Sequence, residues 1–398
     1  MVISNVIVCD ALGEKNVDIR LEDGVICEIG SNLSSENMVD GKGCYFLPLL
    51  TDLNVKLKDS VLNAKNIKSI SKDALCGGVG HIVLNADSTP SIDNEVVLEF
   101  AQNTLHNLDG VKVDLLLNSL KDDNSLSDIA ILLKKGIVAP YMSTIAKNNL
   151  AIKIAQYVQM YGVTLHCKAE DNSLIHSGVM LDGDVSSKLG LAGIPYLSEV
   201  LHVSRMIEIA RDFKIKILFK SIASPRSISL ITKAKEEGVD VSCEVSIHHL
   251  LLSDKACEGF NTTAKLNPPL SSPSDVLDLQ KALQTSQIDC LTTLHQPSSP
   301  LNKEVAFYDA SYGCESISEA LPLYYTKLVK TKLISMSELV KLTSLNPLKI
   351  LGLDGGVLKV GMKADAILFD PTIKTKVENK HSLYDNEVLY GKIIRVFS

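Results

Sequence analysis

The first fifty residues alternate apolar and polar side chains in short runs, Val2–Val8, Val17–Leu21 and Val25–Ile29, with turns at Glu22-Asp-Gly24 and Gly41-Lys-Gly43. A period of two predicts strands with one buried face, so this stretch reads as a small β unit. From Thr51 the rhythm changes to short apolar runs alternating with helical patterns of ten or more residues, which predicts repeated β-α units. Candidate strands are Leu53–Leu57, His81–Ala86, Val113–Leu117, Ile137–Tyr141, Val163–Lys168, Ile215–Phe219, Val239–Val245 and Cys290–His295. Helical patterns fall between them, including Ala64–Leu75, Leu150–Tyr161, Tyr196–Phe213 and Ile228–Glu237. Eight such strands make a closed (β/α)8 TIM barrel the economical α/β architecture. After Leu345-Asn-Pro-Leu348 strands return, at Ala364–Phe369, Ile373–Val377 and Ile393–Phe397, with a turn at Gly361-Met-Lys363. The two β-rich ends, 1–51 plus 345–398, are expected to form one small β-sandwich-like accessory domain around a barrel at 52–344.

Composition narrows the class. Apolar residues are 45% and charged residues 22% of the 398, which fits an ordinary globular chain and excludes disordered and collagen-like ones. With 8 Phe, 11 Tyr and no Trp, aliphatic side chains must supply most of the core. The net charge of −7 gives no general attraction for nucleic acid or anionic lipid. Nine Cys without a CxxC pair fit a reducing compartment better than a disulfide or zinc framework. The first ten residues lack the basic region and long apolar stretch of a secretory signal, and no apolar run approaches membrane-spanning length. A cytoplasmic protein with no nucleic-acid or membrane partner is expected.

Five segments then point to a family. They are Leu47-Pro-Leu-Leu-Thr-Asp52, Gly190-Leu-Ala-Gly-Ile-Pro195, Glu244-Val-Ser-Ile-His-His-Leu250, Lys265-Leu-Asn-Pro-Pro-Leu270 and Ser344-Leu-Asn-Pro-Leu-Lys-Ile-Leu-Gly352. In this order, on the expected barrel, they resemble the dihydroorotase branch of the metal-dependent amidohydrolases nearly end to end. The resemblance implies an amidohydrolase-like barrel and hydrolysis of a cyclic amide, with one or two divalent metals at the barrel mouth activating water, whose own pKa is about 15.7. Ligands to such metals are His, carboxylate or carbamylated Lys.

At the positions the resemblance marks for ligands, other residues stand. The His-x-His of strand one becomes Asn54-Val-Lys56, with both side chains expected to point inward by alternation. The bridging Lys or Asp after strand four falls near Met142 or Ser143, the His after strand five at Lys168, and the His at the end of strand six at or beside Ser221. The Asp after strand eight, ligand and proton shuttle in the family, becomes Leu294. Substrate positions change too. An Arg becomes Lys58, which has no planar fork for a carboxylate, and an Asn becomes Asp87, a negative charge facing an anionic substrate. Asn267 is retained, while the Arg that often follows Pro-Pro-Leu is Ser271.

Two groups of residues have a functional and a structural reading. His166, His295, Glu170 and Asp171 compose a relocated metal site on one reading and satisfied core or loop groups on the other, which is favoured; His248 and His249 follow strand seven, and His81, His106, His176, His202 and His381 take the structural reading more firmly. Lys56, Lys58 and Lys168 compose either a Schiff-base chemistry or ammonium groups that replace the metal's charge among Asp52, Asp87, Glu170 and Asp171, and the second is favoured. Gly77-Gly-Val-Gly80 reads as a helix stop rather than a phosphate cradle, and the charge runs Lys134-Lys135 and Lys233–Glu237 as solvated helix faces.

The leading expectation is a non-catalytic dihydroorotase-like protein of pyrimidine biosynthesis, with no cofactor or metal. The resemblance suggests aspartate transcarbamoylase as its structural partner and leaves room for a homo-oligomer. The alternatives are a cyclic-amide hydrolase with an atypical site and a small-molecule-binding regulator using a pocket of Lys58, Asp87, His166, Asn267 and His295. Function must be decided from the site.

Overall fold

Eight parallel strands follow one another in chain order: Leu50–Val55, Val79–Leu84, Lys112–Asn118, Ala139–Met142, Thr164–Lys168, Lys216–Lys220, Val241–Ser246 and Cys290–Thr292. The computed structural model describes residues 1–397 apart from 107, 109, 144 and 145. Backbone pairing runs from the first of these strands to the eighth. The remaining seam, between first and eighth, is closed largely by one side chain. Asp52 accepts from Thr292 Oγ1 at 2.7 Å, Thr293 N at 2.8 Å and Thr293 Oγ1 at 2.6 Å, and Lys56 N donates to His295 O at 2.9 Å.

Helices cover the barrel because their apolar positions recur at helical spacing. In Ala64–Cys76 the buried side chains are Ile67, Ile70, Ser71 and Ala74, and the Asn63 side chain caps the first turn by accepting from Asn66 N at 2.8 Å. Gly77 and Gly78 end this helix for two different reasons. Gly78 adopts φ +81°, while a Cβ on Gly77 would collide with the carbonyl oxygen of Ile317.

Both chain ends build a second, seven-stranded sheet from Val2–Asp10, Gly13–Glu22, Val25–Gly30, Met38–Asp40, Tyr45–Pro48, Ala366–Lys376 and Val388–Phe397. Tyr45–Pro48 joins the ends, lying parallel to the first strand (Ile7 opposite Tyr45) and antiparallel to Ala366–Lys376 (Leu368 opposite Phe46). Ile3, Val6, Ile19, Ile26, Phe46 and Leu368 form its core.

Two local expectations change. The runs Ala364–Phe369 and Ile373–Val377 form a single strand, Ala366–Lys376, whose register shifts between Asp370 and Lys374, where Pro371 has no N–H to give the ladder. The eighth barrel strand stops at Thr292, because Leu294 turns the chain at φ +49°.

Candidate functional site

The C-terminal ends of the barrel strands converge on a buried polar network. Lys220, on the sixth strand, is 2% exposed. Its ammonium donates to Leu53 O at 2.6 Å and Asn85 Oδ1 at 2.5 Å and lies 5.2 Å from the centroid of the Tyr141 ring. Asn85 Nδ2 donates to Asn54 Oδ1 at 2.7 Å, and Asn54 Nδ2 donates to Ser221 Oγ at 2.6 Å and to Glu244 Oε1. Ser221, at φ +52°, turns its N–H onto Glu244 Oε1 at 3.2 Å. Glu244 Oε2 has no protein partner.

Burial disfavours both ionised ends of this network. It lowers Lys220 to about 8, opposed by Glu244, Asp87 and Asp52, and raises Glu244 to about 7, opposed by Lys220. Burial also raises Asp52, against hydrogen bonds from Thr293, Thr292 and Asn54.

Two ion pairs stand at the entrance, Lys56 Nζ to Asp87 Oδ2 at 2.7 Å and Lys168 Nζ to Glu170 Oε1 at 2.9 Å. Burial alone would raise Asp87, but Lys56, with Lys168 and Lys220 behind it, holds it below the usual carboxylate value. Asp87 is thus half of an ion pair and not a bare negative charge. Lys58 is exposed and takes no part in these pairs.

The other marked residues separate into different environments. Met142 is fully buried in the core, Ser143 Oγ donates to Asn118 Oδ1 at 3.0 Å, and Leu294 is buried. His166 is wholly buried with neither ring nitrogen partnered by protein, and burial pushes it well below 6.5. His295 Nδ1 accepts from Ser316 N at 3.1 Å and Ile317 N at 3.2 Å, so the neutral ring carries its proton on Nε2, and burial takes it down to about 3. Asn267 Oδ1 is buried without a partner. Beside Glu170, a 40 Å³ recess lies between Tyr196, Glu199 and Pro268.

Sequence reasoning passed over Lys220, Glu244 and Asn85. The usable signal was a charged side chain inside an apolar strand: alternation puts Lys220 on the same face as Leu218, and the parallel register places it beside Lys168.

The divalent metal implied by the resemblance does not fit these residues. Asn54 and Ser221 bond to each other, Leu294 offers no donor atom, and Lys56 and Lys168 bring ammonium groups that would repel a cation. Among the described residues no three His, Cys, Asp or Glu side chains gather in a way that could hold a metal ion, so His166, His295, Glu170 and Asp171 do not form such a group.

The amidohydrolase family profile matches residues 126–391. A dihydroorotase of Ruminiclostridium cellulolyticum is 33% identical, with 95% of this chain and 92% of the relative covered. One of Elusimicrobium minutum is 34% identical over 89% of this chain and 83% of its own. Among solved structures, the L-hydantoinase of Arthrobacter aurescens superposes with a TM-score of 0.87 at 22% identity, covering 99% of this chain and 93% of that one. A D-hydantoinase from Thermus sp. gives 0.85 at 19% identity, with the same coverage. These structures share the fold. The expectation that the chain is not an enzyme is overturned here, since its relatives carry the names of enzymes. No helix among the described residues is long and apolar enough to cross a membrane.

Proposed function

Because this chain belongs to the dihydroorotase branch of the amidohydrolase family, we propose that it serves pyrimidine biosynthesis as a cyclic-amide hydrolase with an atypical, lysine-lined barrel mouth, acting on dihydroorotate or its ring-opened product. The observation that carries this reading is the likeness to dihydroorotases over 95% of the chain. The entrance supports it chemically. Lys56 and Lys168 are two ammonium groups facing one opening, each shared with a single carboxylate, and a substrate carboxylate can compete with Asp87 and Glu170 for them. Asn267 Oδ1 is an acceptor free for a ring N–H. Glu170, within reach of Lys168, can take or return a proton at the same opening.

The direct test is turnover of dihydroorotate in both directions by the purified chain, with and without chelator, beside calorimetric titration of the same compound. Chelator-resistant turnover is expected; absence of both turnover and binding overturns the reading.

Association with aspartate transcarbamoylase belongs to the same proposal. Its support is in the sequence, where polar site positions differ from the family while the packing segments, including Ser344–Gly352, are kept. A specific interface should bury at least about 1,000 Å². Co-expression followed by sizing chromatography should give one shared peak, and separate elution at micromolar concentration removes the partner from the proposal.

A further inference from the structure

The hydrogen bonds at the barrel centre all point one way. The Lys220 ammonium donates to Asn85, Asn85 donates to Asn54, and Asn54 donates to Glu244, so two amide dipoles lie head to tail between a cation and a carboxylate. Each amide orientation is set by its neighbour, since reversing either would face donor to donor. Around this chain stand further oxygens that favour a positive charge, namely Leu53 O and the Asp52 carboxylate. A buried carboxylate set of this kind is strongly disfavoured without a compensating charge. Lys56 and Lys168 are paired at the entrance and keep side-chain exposures of 19% and 21%, while Lys220 is 2% exposed.

We infer that Lys220 is the resident cation of the barrel centre, its charge relayed through Asn85 and Asn54 to Glu244, and that this internal ion pair takes the place of a divalent metal. Of the positions marked for ligands, Asn54 and Ser221 are bonded to each other, and Asn54 is joined to the ammonium through Asn85. A divalent ion at this place would bring positive charge against Lys220 and break the Asn54–Ser221 and Asn85–Asn54 contacts. The inference rests on these contacts and not on the proposed hydrolysis.

The test uses the full chain, with zinc or manganese as probe and two substitutions. After incubation with excess ZnCl2 or MnCl2 and desalting, elemental analysis should find far less than one ion per chain, and chelator should leave Tm unchanged. Lys220→Met should lower Tm by about 5 °C or more, because a buried charge loses its partner. Adding Glu244→Gln should recover a large part of that loss. If Lys220→Met does not accumulate as folded protein, recovery of folded protein in the double variant is the same result. One tightly held ion per chain with a chelator-sensitive Tm overturns the inference. So does a double variant that is no better than Lys220→Met alone.

Discussion

Asn54 and Ser221, 167 residues apart in sequence, meet inside the barrel at 2.6 Å, amide to hydroxyl. Both stand where the family resemblance marks metal ligands, and here each satisfies the other. The contact ties the first strand to the sixth, and through Glu244 to the seventh.

Asn54 is therefore expected to matter for stability more than its size suggests. Asn54→Leu keeps the volume but strips the acceptor from the buried Asn85 Nδ2 and one donor from Glu244 Oε1, which keeps the Ser221 N–H. A loss of about 3 kcal/mol is expected, since orphaned buried groups carry most of the cost. Urea denaturation measures it, and a change below about 1 kcal/mol would show that water replaces the amide freely.

The barrel seam makes a second prediction. Asp52 accepts three hydrogen bonds from Thr292 and Thr293. Asp52→Ala should cost about 3 kcal/mol by leaving these three donors without their acceptor, whereas Asp52→Asn, which keeps one oxygen, should cost distinctly less. Equal losses for the two variants would mean that the seam depends on backbone pairing and not on this carboxylate.

Acid should destabilise the fold over a defined window. Burial depresses His202, His248 and His295 to about 3, His249 to about 4, and His166 well below 6.5. An unfolded histidine takes up a proton near 6.5, so the stability carried by these five is whole above pH 6.5 and shrinks as pH falls towards 4. Glu199, Glu244 and Glu319, raised to about 7 chiefly by burial, act oppositely between about 4.5 and 7. The histidine effect, offset in part by these glutamates and by Asp52, which burial also raises, leaves a modest decline from pH 6.5 to 4.5 and a steeper one below 4.5, where the glutamate offset ends. Unfolding free energies that stay constant from pH 6.5 to 4 would contradict this balance.

The entrance lysines should show themselves in binding. Lys56→Met should weaken dihydroorotate binding about tenfold, the loss of one charge-assisted contact. Asp87→Asn should strengthen it by releasing Lys56. Lys58→Met, at an exposed side chain outside the ion pairs, should leave affinity as it is. Isothermal titration separates the three, and matching effects at Lys56 and Lys58 would refute the assigned geometry.

Finally, Gly77→Ala should be costly although its backbone is helical. The added methyl meets the Ile317 carbonyl, so about 2–3 kcal/mol of overpacking strain is expected, read as a shift in denaturation midpoint at unchanged m-value. A neutral outcome would mean that the segment carrying Ile317 can retreat.

The alternation of Val2–Val8 and the β-α rhythm from Thr51 are contained in neighbours two or about 3.6 residues apart, and from them the chain by itself determined the barrel, the second sheet from both ends and the residue types at the marked ligand positions. Those residue types already disfavoured a metal. Which lysine is internal was not local information. Lys56, Lys168 and Lys220 stand at strand ends and Lys58 in the turn after the first, yet only after barrel closure does Lys58 reach solvent, do Lys56 and Lys168 meet Asp87 and Glu170, and does Lys220 become enclosed. The bonds that decide this span 31 residues for Asn85–Asn54, 135 for Lys220–Asn85 and 190 for Asn54–Glu244. No periodicity encodes partners at such separations. Closing eight strands brings their ends together, and in that low-dielectric interior each buried polar atom must find a partner across the barrel, a choice made by the tertiary structure alone.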